Sequence, residues 1–152
     1  APWARDATAI MTTPGRVRVT ILRAGAEPVP SLAEREAVRL SLIANDVRPL
    51  TDMVEVLGPI VHPVTITAKL ILYPGPDGNL VRDRAVEALS DWVEANRMLG
   101  MNLRRSAIFS KLHQEGVHSV DLLSPAVDLV LGPTEVYDIE AITIEVADLR
   151  DA

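Results

Sequence analysis

Residues 62–73 constrain the fold of this chain more than any other stretch, because apolar and polar side chains alternate there over a full strand length. A period of two is typical of a β-strand with one buried face. The turn sequence Pro-Gly-Pro-Asp-Gly at 74–78 then ends the strand. The buried face is predicted to hold Val64, Ile66, Ala68, Leu70 and Leu72, and the other face Thr65, Thr67, Lys69 and Tyr73, with Ile71 as the apolar exception.

Shorter alternating runs predict further strands at 16–22, 53–57, 117–123 and 138–146. In the first of these, Val17, Val19 and Ile21 share one face, whereas Arg16, Arg18 and Thr20 lie on the other. One polar face indicates a half-buried and antiparallel strand. A weaker pattern at 7–11 precedes the Pro14-Gly15 turn and could pair with it as a hairpin.

A first helix is predicted from Ser31, because Glu34 three residues later completes a capping box. This helix carries apolar residues on two faces, which indicates that both faces are covered. The cover could be a second layer of the same domain or another subunit. One stripe holds Ala33, Ala37, Leu40 and Ala44, and the opposite side holds Val38 and Leu42.

A second helix is predicted over 79–99 and a shorter one over 104–114, whereas 126–135 fits neither pattern. Gly100 and Gly116 are suited to end these two helices. The apolar stripe of the second helix holds Val81, Ala85, Ala88, Leu89, Trp92 and Leu99.

The order of these elements predicts an α+β chain with a ferredoxin-like two-layer sandwich. Split βαβ units would place the helices on one face of a mainly antiparallel sheet, with an extra short helix and an N-terminal hairpin strand. The helix stripes built on Leu40 and Trp92 would meet the sheet. We expect a single domain over 1–152, with a strand and turn in 1–15, a core in 16–147 and a tail in 148–152.

Composition narrows the classes of function. The chain has no cysteine, which excludes a disulfide scaffold and a thiolate metal site. No apolar run approaches the roughly 20 residues that span a bilayer, and no signal-peptide pattern opens the sequence. The first residue is Ala1 rather than methionine, so we expect the chain to be a piece of a longer protein.

Nucleic acid is not an expected partner, because the formal net charge is −6. The short basic pairs Arg16/Arg18, Arg82/Arg84 and Arg104/Arg105 fit solvated surface charge. A ferredoxin-like sheet can also bind RNA by stacking bases on aromatic side chains. Such aromatic residues are missing from the predicted polar face, where only Tyr73 lies at a strand end.

A search for reactive groups predicts no catalytic, cofactor-binding or metal-binding residue. His62, His113 and His118 lack the spacing of a zinc site. None of the serines lies in a nucleophile motif. The acidic pairs Asp46/Asp52 and Glu135/Asp138 show no pattern of burial that would separate their pKa values. The prolines of the 74–78 turn remove N–H donors that a phosphate would need.

Several sequence segments together resemble the C-terminal portion of the baseplate J family, the baseplate assembly proteins of contractile-tailed phages and phage-tail-like particles. The similarity covers nearly the whole chain with consistent spacing. The segments are W-A-R-D-A at 3–7, N-D-V-R-P-L-T-D at 45–52, L-Y-P-G-P at 72–76, S-A-I at 106–108, L-H-x-x-G-V at 112–117, L-L-S-P-A at 122–126 and D-L-V at 128–130.

The resemblance implies a structural protein of the tail baseplate, in the wedges that form a ring, without catalysis or cofactor. Implied partners are other wedge proteins and further copies of the same chain, in a virion baseplate assembled in the bacterial cytoplasm. No membrane and no small-molecule substrate is expected. The alternative is a small-molecule-binding or regulatory ferredoxin-like domain. For an assembly role, we predict exposed apolar contacts at Val38 and Leu42, or in the 98–103 loop with Met101.

Overall fold

The computed structural model describes residues 2–13, 15–44, 53–75 and 77–149. It confirms the α+β class. The 45–52 segment, Pro14 and Pro76 lie outside the described residues. The elements are β1 (Ala4–Thr13), β2 (Arg16–Arg23), α1 (Leu32–Ala44), β3 (Met53–Leu57), β4 (Ile60–Leu72), α2 (Gly78–Ala95), α3 (Arg105–Leu112), β5 (Val117–Ser124) and β6 (Glu135–Asp148).

The chain divides into two compact units, each of which is described by itself below. Unit 1 comprises Ala1–His62, Met98–Gly100 and Leu131–Val136. Unit 2 comprises Pro63–Arg97, Met101–Val130 and Tyr137–Ala152. The single domain expected from the sequence stays a prediction.

The sheet of unit 1 has the strand order β1-β2-β3. The predicted hairpin is confirmed, since β1 pairs antiparallel with β2 from Ala4↔Arg23 to Thr13↔Arg16. On its other side β2 pairs parallel with β3, from Arg16↔Met53 to Thr20↔Leu57. The antiparallel expectation for β2 is therefore wrong on that side. The physical reason is the helical crossover through α1, which returns the chain to start β3 in the same direction as β2.

Helix α1 packs on this sheet with the opposite face from the predicted one. Val38 and Leu42 pack against a buried cluster of Val19, Ile21 and Val56. Leu40 was expected to meet the sheet, but it is 55% exposed. Both sides of α1 carry apolar residues in the sequence. Helical periodicity alone therefore does not indicate which of the two sides packs on the sheet.

The second face of β2 is also covered, contrary to the prediction of an open polar face. Thr20 is only 1% exposed and Leu22 is fully buried. Arg18 on this face is half-buried and its Nε lies 3.2 Å from Glu55 Oε2. Strand β2 is therefore the central strand of its sheet and has buried side chains on both of its faces.

Unit 2 contains a sheet with the order β5-β4-β6. Strand β4 pairs antiparallel with β5, from Thr67↔Ser124 to Leu72↔Val117. The predicted inner face of β4 is confirmed, because Val64, Ile66, Ala68, Leu70 and Leu72 are all buried. Ile71 is buried as well. Helix α2 ends earlier than predicted, at Ala95. Its predicted stripe is confirmed at Val81, Ala85 and Leu89, but in the last turn Val93 is buried rather than Trp92.

The ferredoxin-like sandwich is not confirmed. That arrangement needs one sheet that joins all the strands. The described strands instead form two sheets of three strands each, and the β2–β3 pair is parallel. Sequence order alone allows either arrangement, since it does not say which strands hydrogen-bond to each other.

Candidate interaction surfaces

The N-terminus of α1 is held by the predicted capping box. Glu34 N donates to Ser31 Oγ at 3.1 Å, and Ser31 N donates to Glu34 Oε1 at 3.0 Å. The backbone hydrogen bond from Ser31 is the main cause that lowers the pKa of Glu34, and Arg23 adds to it. These contacts set where α1 begins.

The side of α1 that points away from the sheet carries three exposed apolar side chains beside the Glu36–Arg39 ion pair. Leu32, Leu40 and Ile43 are 72%, 55% and 51% exposed. We call these three residues the outer face of α1. Leucine and isoleucine at helical spacing are normally buried, so this face has the composition of a contact surface.

A shallow groove of about 330 Å³ lies beside the outer face. Its walls are Trp3, Ala37, Val38, Ser41 and Leu42. Val38 and Leu42 line this groove, but both are half-buried because they also pack against the sheet of unit 1. They agree only in part with the exposed apolar face that the sequence suggested. That face belongs to Leu40 and its neighbours.

The second predicted contact, the 98–103 loop, is mostly tied down. Within unit 1, Arg5 Nε donates to Met98 Sδ at 3.4 Å and Leu99 N donates to Asp6 Oδ2 at 3.0 Å. Leu103, in unit 2, is fully buried. Met101 is 40% exposed, so it alone agrees with the predicted exposed contact.

The histidines lie apart from any cluster of ligands. His62 Nε2 lies 2.8 Å from Glu135 Oε2, in contact but without hydrogen-bond geometry. His113 is the C-cap of α3. His118 meets the ring of Tyr73 edge to face, at 5.2 Å between ring centroids. Within the described ranges, no group of three or more His, Asp or Glu side chains could hold a metal ion.

The acidic pairs and the basic pairs also resolve into separate contacts. Asp46 and Asp52 lie outside the described residues. Arg82 Nε lies 3.6 Å from Asp83 Oδ1, and Arg104 NH1 lies 3.5 Å from Asp128 Oδ2. Ion pairs at a protein surface stabilise little, so Arg82 and Arg104 agree with the predicted solvated charge. Arg105 does not, because its guanidinium is part-buried and donates to backbone carbonyl oxygens.

A further groove, which the sequence did not indicate, lies in unit 2 between α2 and β6. Its volume is about 370 Å³. One wall carries Val93 and Glu94 of α2 and the following Arg97, and the other wall is residues 138–142 of β6. Asp138, a member of one predicted acidic pair, lies in this wall. No motif marks the groove, because it depends on which strand lies next to α2.

Two comparisons with known proteins identify the family of the chain. The family described as Baseplate J-like protein C-terminal domain matches residues 64–145, which is more than half of the chain. The chain belongs to the baseplate J-like family. Baseplate protein J of Escherichia phage P2 is 36% identical over 130 residues, which is 86% of this chain and 43% of that protein. The baseplate J-like chain thus spans less than half the length of this relative.

Several of the described segments that carry the resemblance are joined to each other by hydrogen bonds in the baseplate J-like chain. In unit 2, Arg105 N donates to Asp128 Oδ1 at 2.7 Å, which caps the start of α3 from another segment. The Arg105 guanidinium donates to the carbonyl oxygens of Leu122 and Pro125. Leu103 and Leu129 exchange backbone hydrogen bonds of 2.9 Å. These residue types are thus explained by packing and hydrogen bonding.

The W-A-R-D-A segment has a similar role in unit 1 of the baseplate J-like chain. Trp3 packs against the buried cluster of the sheet, and its carbonyl oxygen accepts from Ala24 N at 2.8 Å. Arg5 and Asp6 hold Met98 and Leu99, as described above. No described helix has the combination of length and apolar character that crossing a membrane requires.

Proposed function

We propose that the chain is a structural component of the baseplate of a contractile phage tail. The observation that carries this proposal is the 36% identity to Baseplate protein J of phage P2 over 86% of the chain. A substantial identity over most of the chain supports a common role more strongly than a shared fold does.

In this role the chain acts through contacts with other proteins and performs no catalysis. Its partners are other wedge proteins of the baseplate and further copies of itself, arranged in a ring. It is located in the virion baseplate, which is assembled in the host cytoplasm. Nucleic acid, a membrane and a small-molecule substrate are not part of the proposal.

The outer face of α1 supports a role in contacts. An exposed leucine or isoleucine has an unfavourable free energy of hydration that burial against a partner removes, at about 25 cal/mol per Å². Leu32, Leu40 and Ile43 are all more than half exposed, and the Trp3 groove adds apolar surface beside them. These side chains are not buried within unit 1, so the free energy of burying them would stabilise a complex with a partner that covers this surface.

The proposal is tested in the phage or tail-like particle that encodes the chain. Deletion of its coding sequence is expected to abolish tails with complete baseplates in electron micrographs, and expression of the unaltered protein should restore them. Complete, contractile baseplates in the deletion strain would refute the structural role.

A second measurement assigns the contact to a surface. The variant Leu40→Glu/Ile43→Glu should reduce the fraction of complete baseplates while the chain stays folded by circular dichroism. The matched control Leu80→Glu/Leu123→Glu changes two exposed apolar residues of unit 2, which are 48% and 59% exposed. Equal assembly by both variants and the unaltered protein would remove the outer face of α1 from the proposed interface.

The alternative of a small-molecule-binding or regulatory domain has less support. A binding pocket for a small molecule is concave and holds a few convergent polar groups among apolar walls. The Trp3 groove is lined mainly by apolar side chains, and no motif in the chain matches a known ligand site. The groove between α2 and β6 does hold polar groups, but the identity to Baseplate protein J favours the structural role over this alternative.

A further inference from the structure

Strand β6 is an outermost strand of the sheet in unit 2. The sheet order β5-β4-β6 leaves one side of β6 without a neighbouring strand among the described elements. The strand is 14 residues long and contains no proline. An outermost strand of this kind presents backbone N–H and C=O groups to which a further strand can hydrogen-bond.

The groove between α2 and β6 runs along this free edge. It is lined by five consecutive residues of β6, from Asp138 to Ile142. Successive side chains of a strand point to opposite faces. A cavity on one face would therefore contact alternate residues, whereas a cavity beside the strand contacts consecutive ones. The groove is thus placed where an added strand would lie.

The two walls of the groove are held at a defined spacing. Tyr137 Oη donates a hydrogen bond of 2.7 Å to the carbonyl oxygen of Val93, at the end of α2. Tyr137 is fully buried and Val93 is 5% exposed. This buried hydrogen bond fixes the end of α2 against the start of β6, next to the groove.

The groove is acidic. Glu94, Asp138 and Glu140 lie in its walls. The one basic residue there, Arg97, is only 4% exposed and its Nε lies 3.4 Å from Glu94 Oε2. The last turn of α2 contains no basic residue, so the partial negative charge at this helix end adds to the carboxylates. A positively charged ligand would therefore be attracted by the negative electrostatic potential of this groove.

We propose that this groove binds an extended basic polypeptide segment, which adds to the edge of β6 as a fourth strand of the sheet. The backbone of the segment would hydrogen-bond to residues 138–142, and the Lys or Arg side chains on one of its faces would lie beside Asp138 and Glu140. Two copies of β6 would bring the same carboxylates together, so a second copy of this chain fits the groove less well. The proposal goes beyond the baseplate role, since it assigns a partner chemistry to a surface that the family match does not describe.

The test uses the 152-residue chain and a fluorescent peptide of alternating lysine and valine, about eight residues long to match an ordinary strand. Fluorescence anisotropy at low salt should show saturable binding, weakened as salt is raised. An alternating glutamate–valine peptide should not bind. The lysine–valine peptide with N-methyl groups on alternate amides keeps its charge but cannot form the strand hydrogen bonds, and it should bind at least roughly tenfold more weakly.

Charge-reversal variants place the binding. Asp138→Lys/Glu140→Lys should weaken binding of the lysine–valine peptide roughly tenfold or more. Glu87→Lys/Asp121→Lys makes the same change in net charge at exposed positions of α2 and β5 and should leave the affinity within about twofold. Equal weakening by both pairs, or equal binding of the N-methylated peptide, would overturn the proposal in favour of non-specific charge attraction. So would an absence of binding by the folded chain. None of these outcomes affects the deletion test of the baseplate role, because that test measures complete baseplates in electron micrographs.

Discussion

Helices α1 and α2 each pack on a three-stranded sheet within their own unit, but they use their apolar residues differently. Helix α2 buries Val81, Ala85, Leu89 and Val93. None of the described side chains of α1 is fully buried, and its three residues of the outer face are more than half exposed. Helix α2 is therefore stabilised by apolar residues that are buried within the chain. Helix α1 instead keeps apolar residues exposed, where a partner could contact them.

The largest effect is expected in the interior of unit 2. Leu89→Ala should lower the free energy of unfolding by about 3 kcal/mol, because Leu89 is 0% exposed and its removal leaves a cavity. Leu80→Ala on the same helix, at 48% exposure, should cost less than about 1 kcal/mol. Urea denaturation followed by circular dichroism measures both. Equal losses would contradict the assignment of the buried face of α2.

A somewhat smaller loss is expected from Tyr137→Phe. It removes the hydrogen bond to the Val93 carbonyl and leaves that oxygen without its donor, which should cost about 1–3 kcal/mol of unfolding free energy. Tyr73→Phe is the control, since Tyr73 is 50% exposed and should change stability by less than about 0.5 kcal/mol. A neutral Tyr137→Phe would mean that this bond does not hold α2 to β6.

The two faces of α1 can be substituted separately, which tests directly which face packs on the sheet and which is exposed. Leu42→Ala should cost about 1–2 kcal/mol, because this half-buried side chain packs on the sheet of unit 1. Leu40→Ala should stay within about 0.5 kcal/mol, because its side chain faces solvent. The same denaturation experiment distinguishes them. A larger loss for Leu40 would restore the orientation predicted from the sequence.

The smallest effect is expected at the start of α1. Ser31→Ala should cost about 1 kcal/mol, because Glu34 N loses its side-chain acceptor. Ser110→Ala, at an exposed position within α3, should change stability by less than about 0.5 kcal/mol.

The pH dependence of the same capping box has a defined sign. The pKa of Glu34 is lowered on folding, chiefly by the hydrogen bond from Ser31 N. Its carboxylate therefore contributes stability above the ordinary glutamate value of 4.5, and this contribution is lost as the pH falls through the lower folded value. Glu34→Gln should destabilise the chain at pH 7, and the difference should shrink in acid. A difference that is constant across this range would contradict the role of the ionised carboxylate.

The contact surfaces were harder to predict than the elements. The capping box of α1 and the inner face of β4 depend on residues a few positions apart, and both predictions are confirmed. The inward face of α1 could not be chosen, because apolar residues lie on both sides of it and only the neighbouring sheet distinguishes them. The groove beside β6 required knowledge of the strand order, which no local pattern contains.

The sequence by itself determined the elements of this chain and its membership in the baseplate J-like family. Alternation, helical spacing and capping are local, so they act before distant segments meet. Only the tertiary structure decided that the described strands form two sheets, that β3 is parallel to β2, that Val38 and Leu42 face inward and that β6 is an outermost strand of its sheet. Each of these features depends on contacts between residues that are far apart in the chain. The stability of such contacts depends on the tertiary structure around them, not on the local sequence. The alternating pattern predicted that β4 is a strand, but only the tertiary structure shows that its neighbours are β5 and β6.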